Sequence, residues 1–234
     1  MRCNRLFVLL TIAVVCVFLT TGFQGCDDDG DTPPIGSGPS TAQVRVIHAS
    51  PNTPAVDVFI AGVELVSDLE FRESTQYRSI QPGAYRLEVF PANTKENPLI
   101  TTTLNLTEGT NQTVLAIGTR DSIRPLVLRD DLSTPPPGRA RIRLVHAGSD
   151  APALDILIPQ LQAPAFQNIR FGEVTQYRVL DAGTYTVVVT PAGNPENEVF
   201  RVPSLRIESG AVYTAVATGR LADDTLSVTL YRDR

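Results

Sequence analysis

His48 and His146 are the two histidines of this 234-residue chain, and each is followed nine residues later by an aspartate, Asp57 and Asp155. An imidazole oriented by a carboxylate is the arrangement of a general base. It is equally the arrangement of a cross-strand hydrogen bond. If Ser50–Ala55 and Gly148–Ala153 turn as hairpins, His48 faces Asp57 and His146 faces Asp155 across a pair of strands, about 5 Å apart at Cβ. Nucleophilic catalysis needs a hydroxyl beside the base, and the nearest one, Ser50, becomes Gly148 at the second site, where Ser149 stands one place along. A zinc site needs three or four ligands, and one imidazole with one carboxylate falls short. Glu73 and Glu173 recur and could add a ligand, but nothing in the spacing brings them to the histidines. The expectation is therefore a structural pair that pins each turn, with no catalytic residue, metal or cofactor. A hydrolase or metal-dependent enzyme using the His and Asp pairs is the alternative.

These residues recur because the chain is duplicated. Ala42–Ile60 and Ala140–Ile158 share 8 of 19 residues, and the 27-residue blocks from Phe71 and Phe171 share 13. The offset changes only from 98 to 100 residues between the two block pairs, so a whole folding unit was copied. The second pair contains Thr-Gln-Tyr-Arg twice, at 75–78 and 175–178. Strand alternation sends Tyr77 and Tyr177 one way and Gln76, Arg78, Gln176 and Arg178 the other. The outward set is a candidate binding face for a ligand such as a sugar, and a core tyrosine flanked by outward polar residues accounts for the same letters.

The elements that must position these groups have the period of strands. Gln43–His48, Val56–Ile60, Gln76–Ile80, Tyr85–Phe90, Ile100–Leu106, Thr113–Ile117 and Pro125–Leu128 are short, rich in Val, Ile, Leu, Thr and Tyr, and divided by Pro, Gly, Asn and Asp. No window carries a 3.6-residue stripe. Seven strands in about 90 residues predict an all-β fold, two tandem antiparallel β-sandwiches, immunoglobulin-like or similar. A small barrel ranks second. Gly83, Gly183, Gly109 and Gly210 are expected in turns needing positive φ. Tyr85 and Tyr185 are expected to lend their hydroxyls to a nearby loop backbone, as in a tyrosine corner.

The remaining segments set the address. Arg2 and Arg5, an apolar run from Leu6 to Leu19 and a small residue before a possible cut describe an export signal over residues 1–25. Gly25-Cys26 resembles the lipobox of bacterial lipoproteins, in which the cysteine is acylated and becomes the new N-terminus. That resemblance implies lipidation at Cys26. Phe23 and Gln24 depart from the usual residues there. All three cysteines lie in the first 26 residues, so the folded body contains neither a disulfide nor a thiolate metal site. Residues 26–41 read as a flexible acidic Pro/Gly/Ser tether, and residues 132–139, with three consecutive prolines, as a stiff linker between repeats at 42–131 and 140–234. The linker is polar, and the repeats are expected to fold independently. Cleavage before Cys26 removes two arginines, leaving 18 basic against 25 acidic residues and moving the net charge from −5 to −7. Phosphate binding needs a basic surface, so nucleic acid is excluded as a partner.

The strings VRVIHASPNTPAVDVFIAG with QPGAYRLEVFPA, and RIRLVHAGSDAPALDILI with DAGTYTVVVTPAG, resemble the bacterial secreted family called domain of unknown function 4397. The resemblance spans both repeats and implies an extracytoplasmic β-domain, often in tandem and on lipoproteins, without an established reaction. The expectation is a lipid-anchored protein of the bacterial cell envelope, in the periplasm or at the cell surface. Its partners are the membrane, through the lipid, and an envelope protein or polysaccharide.

Overall fold

The computed structural model describes residues 41–234. The leader, Cys26 and the tether up to residue 40 lie outside the described residues. The first repeat forms β1 (Ala42–His48), β2 (Val56–Ile60), β3 (Val63–Leu69), β4 (Arg78–Ile80), β5 (Gly83–Pro91), β6 (Ile100–Leu106), β7 (Asn111–Ile117) and β8 (Arg124–Asp130). The second forms β9 (Arg139–His146), β10 (Leu154–Leu157), β11 (Phe166–Ile169), β12 (Arg178–Asp181), β13 (Gly183–Pro191), β14 (Phe200–Ile207), β15 (Val212–Thr218) and β16 (Ser227–Arg232). One 3-10 turn, Arg120–Ser122, is the only helical element among the described residues.

Each repeat is a sandwich of two four-stranded sheets, ordered β4-β1-β7-β8 over β3-β2-β5-β6 in the first and β12-β9-β15-β16 over β11-β10-β13-β14 in the second. Val44, Val46, Val58, Leu87, Val89 and Leu104 fill the space between the sheets of the first repeat. Their counterparts Ile142, Leu144, Ile156, Val187, Val189 and Leu205 do so in the second. The pairing is antiparallel except at one place per repeat, where β1 runs parallel to β7 and β9 parallel to β15. The segment after β1 therefore does not turn back as a hairpin. It crosses from one sheet to the other, and β2 pairs with β3 and β5. β3 was not legible in the sequence, because Val63–Leu69 is exposed over most of its length and Glu64, Ser67 and Asp68 break its apolar pattern.

β1 is buried along almost its whole length instead of on alternate residues. The sandwich core covers only one of its faces. Ile47, Leu115, Ile117 and Leu128 on the other face pack against Val145, Val216 and Tyr231 of the second repeat as a separate buried cluster. The β1-containing and β9-containing sheets thus stack face to face, the sheets form four layers, and both repeats fall in one compact unit. The expectation of little interrepeat core is overturned. The linker's polarity says nothing about the sheet faces it connects, and those faces are apolar.

Gly109 and Gly210 have φ of 68° and 79°, the left-handed geometry expected of them. Gly183 does not share it. Gly83 has a positive φ of 157°, and a Cβ there would also stand 3.2 Å from the Tyr85 ring, whereas at Gly183 a Cβ would make only ordinary contact with Tyr185 at 3.8 Å. The Tyr185 hydroxyl donates to the Asp181 carbonyl at 2.8 Å, as expected of a tyrosine corner.

Candidate functional site

His48 and His146 end β1 and β9 and are fully buried. The Nε2–H of His48 donates to the Pro54 carbonyl at 3.1 Å, and its Nδ1 accepts from the Ser50 backbone N–H at 3.3 Å. His146 repeats this with the Pro152 carbonyl at 3.0 Å and the Gly148 N–H at 3.2 Å. A carbonyl can only accept and an N–H can only donate, so both imidazoles are neutral with the proton on Nε2. Each braces the loop that crosses between sheets. The rings meet Phe71 and Phe171 edge-on. Burial holds both histidines below the ordinary imidazole range, and only partly do the carbonyl bonds oppose it, joined at His146 by the charge of Glu173.

A pH dependence follows. A histidine held neutral in the fold takes up its proton more readily once unfolded, so its stabilisation is complete above the unfolded value of about 6.5 and is lost as pH falls through the lower folded value. Unfolded carboxylates begin to titrate only below about pH 5. Denaturant unfolding between those limits should show stability falling as pH falls. The His48→Gln/His146→Gln variant should show a flat profile there.

The expected His–Asp contacts do not form, because each pair sits in two different sheets. Asp57 Oδ1 instead accepts from the Asp68 N–H at 2.9 Å and Oδ2 from the Asn93 N–H at 3.0 Å. Asp155 does the same with Asn168 at 2.7 Å and Gly193 at 2.9 Å. All four donor residues have positive φ. Each aspartate therefore ties together two left-handed turns on strands flanking its own. Glu73 and Glu173 meet the histidines through the backbone, their carbonyls accepting from the His48 and His146 N–H groups at 3.0 Å. Their carboxylates turn to their own loops and accept from the Glu70 and Arg170 N–H groups.

Tyr77 and Tyr177 belong to an ion-pair network that sequence reasoning missed. Arg45 of the first repeat donates to Asp233 of the second at 2.5 Å, and Arg143 of the second pairs with Asp130 of the first. Every side chain in these two pairs is no more than 4% exposed. The Tyr77 hydroxyl and Thr113 Oγ1 donate to Asp130 at 2.7 and 2.6 Å, and the Tyr177 hydroxyl and Thr214 Oγ1 to Asp233 at 3.0 and 2.7 Å. Each guanidinium also lies over the tyrosine of its own repeat, 4.9 Å from the Tyr77 centroid for Arg45 and 4.8 Å from the Tyr177 centroid for Arg143. Burial, the largest single influence, would pull Arg45 down, but the charge and hydrogen bond of Asp233 together with Tyr77 and Asp130 outweigh it, and the guanidinium holds its proton more firmly than usual. Burial raises both tyrosines beyond the ordinary phenol range. The signal available in sequence was the charge inside VRVIH and IRLVH, since an arginine on an otherwise apolar strand needs a buried counter-charge.

Two clefts open along this seam. One of about 760 Å³ is lined by Gln176, Tyr177, Arg129, Arg141, Val127 and Val174 among others. The other, of about 290 Å³, is lined by Gln76, Tyr77, Arg45, Arg232, Asp233 and Arg234 among others. Gln76 and Gln176 thus occupy equivalent places at the two ends of the seam. The arginines of the candidate face do not join them in one site. Arg78 is exposed in a groove against β3, and Arg178 donates to the carbonyls of Pro164 and Ala165.

The model of the family described as Domain of unknown function (DUF4397) matches residues 42–157 and 160–234. The chain belongs to that family. No curated protein matches it. Among solved structures, a family CBM26 module, CBMbc of Eubacterium rectale Amy13K, solved in complex with maltoheptaose, is similar over 82% of this chain and 97% of its own, with 9% identity and a TM-score of 0.26. The fimbrial anchor protein Mfa2 of Porphyromonas gingivalis is similar over 82% and 97%, with 11% identity and a TM-score of 0.21. Likeness of this degree carries no inference about ligand or activity.

Proposed function

We propose that this member of the DUF4397 family is a lipid-anchored cell-envelope protein whose two stacked sandwiches act as a rigid, non-catalytic binding or structural module on the periplasmic or cell-surface side. One observation supports the non-catalytic reading. Both nitrogens of each histidine and both oxygens of Asp57 and Asp155 are engaged by backbone groups. A general base needs a lone pair that substrate can reach; the one acceptor nitrogen of each fully buried imidazole is taken by a backbone N–H, and each buried carboxylate is committed to two backbone N–H groups. The partner class that fits such a module is another envelope protein or a polysaccharide.

Anchoring rests on Gly25-Cys26 between the apolar leader and Asp27-Asp28-Asp29. The tether of about 15 residues reaches up to about 50 Å at full extension, room enough to hold the body clear of the bilayer. A Cys26→Ser variant should leave the membrane fraction or stay unprocessed, read by fractionation and by the mobility of the mature chain. Normal processing with unchanged membrane retention would overturn the anchor. Hydrolysis by the full chain that His48→Gln and His146→Gln abolish would overturn the non-catalytic reading.

A further inference from the structure

The duplication gives every sheet edge an internal control, and the outermost pair of edges differs sharply between repeats. β14 is guarded three ways: Pro203 lies within it, its pairing with β13 breaks register between Tyr185 and Val187, and it carries Arg201 and Arg206. These are the devices by which proteins stop an edge from pairing with another chain. Its counterpart β6 has none of them. Ile100-Thr-Thr-Thr-Leu-Asn-Leu106 contains no proline and no charge, and it pairs with β5 in unbroken register over seven residues. The other edges are blunted in different ways. β4 and β12 are three and four residues long. β3 breaks register twice and contains Asp68 at φ 55°. β8 contains Pro125, and four-residue β11 has a register break. β16 is half-buried over most of its length and ends in Arg232, which is paired with Glu208.

The backbone of β6 is poised for pairing. The Ala61 N–H donates to the Arg86 carbonyl, so Arg86 turns toward β2. Its partner across the ladder is Thr103, which by the antiparallel alternation turns its own N–H and C=O to the open side. Thr101 and Asn105 share that orientation, and among the described residues one side chain is bonded there, that of Gln112, whose amide donates to the Asn105 carbonyl at 3.0 Å.

We infer that β6 is a docking edge for a second copy of this chain, the two β6 strands pairing antiparallel so that two outer sheets continue into one. About Thr103, such pairing sets Thr103 opposite Thr103 and Thr101 opposite Asn105, and no charge meets a like charge. The chain's own tether is a poor occupant, since Pro33, Pro34 and Pro39 remove donors and its glycines disfavour strand. A single open edge among the described residues makes the contact isologous, which closes at two copies, whereas two open edges would propagate a fibre. Guarding β14 while leaving β6 open is the pattern that a closed pair requires.

The test is the mass of the full chain in detergent by light scattering after size-exclusion chromatography. The parent should have the mass of two chains, and Thr103→Pro and Thr103→Lys that of one, each with an unchanged β-type circular dichroism spectrum. Association through the lipid alone would not respond to Thr103. Opening the second edge with Pro203→Thr, Arg201→Thr and Arg206→Thr should give species larger than two chains. A one-chain mass for the parent, or a two-chain mass that survives both Thr103 substitutions, would overturn the inference.

Discussion

Asp233→Ala should destabilise the whole chain by about 3–5 kcal/mol, because it leaves the Arg45 guanidinium buried without its counter-charge. The Tyr177 and Thr214 hydroxyls lose their acceptor as well. Asp130→Ala should act alike through Arg143, Tyr77 and Thr113. The size of the effect comes from the charge left behind and not from any large net contribution of the ion pair. A buried pair replaced by apolar residues of similar volume is often neutral or stabilising, so Arg45→Met combined with Asp233→Leu should recover most of the loss. Denaturant midpoints at constant slope measure both effects. A cost below about 1 kcal/mol for both aspartates would place the network in water, as is typical of exposed pairs.

The crosswise arrangement explains why the seam was hidden while the sandwiches were legible. Val56–Ile60 and Ile100–Leu106 read from sequence with the bounds the structure has, since each shows its strand character locally. The tandem all-β organisation followed from the repeat. What failed were inferences about distant neighbours. The turn after His48 was read as a hairpin because antiparallel neighbours are the common case. The parallel β1–β7 pair instead sends β2 to the other sheet and parts His48 from Asp57. The imidazole and the carboxylate each bond backbone groups and not one another. Arg45 gives no local sign of its partner, which lies 188 residues away. Tyr77 and Tyr177 were read as core residues of one sandwich, and their hydroxyls in fact complete the counter-charge sites for the opposite repeat's arginines. No local pattern announces that a strand's second face meets another layer. β1 is buried on both faces, yet Gln43 and Arg45 alternate with Val44 and Val46, which is the pattern of a strand covered on one side.

The second large expected effect is cooperativity across the repeats. The seam joins them through an apolar cluster, two buried ion pairs and side-chain bonds such as Thr218 Oγ1 to the Ala49 carbonyl at 2.9 Å and the Tyr231 hydroxyl to the Arg72 carbonyl at 2.8 Å. Losing either repeat would expose Ile47, Leu115, Val145 and Val216 and leave an arginine and an aspartate unpaired in the other. Neither half should therefore melt while its neighbour stays native.

Differential scanning calorimetry of the full chain tests that claim most directly. At about 0.7 kcal/mol per residue near 60 °C, the roughly 190 folded residues should unfold with a total enthalpy of about 130 kcal/mol. The account predicts one transition whose van't Hoff enthalpy equals the calorimetric one. Two resolved transitions, or a van't Hoff enthalpy near half the calorimetric value, would mean that the repeats unfold separately and would contradict it.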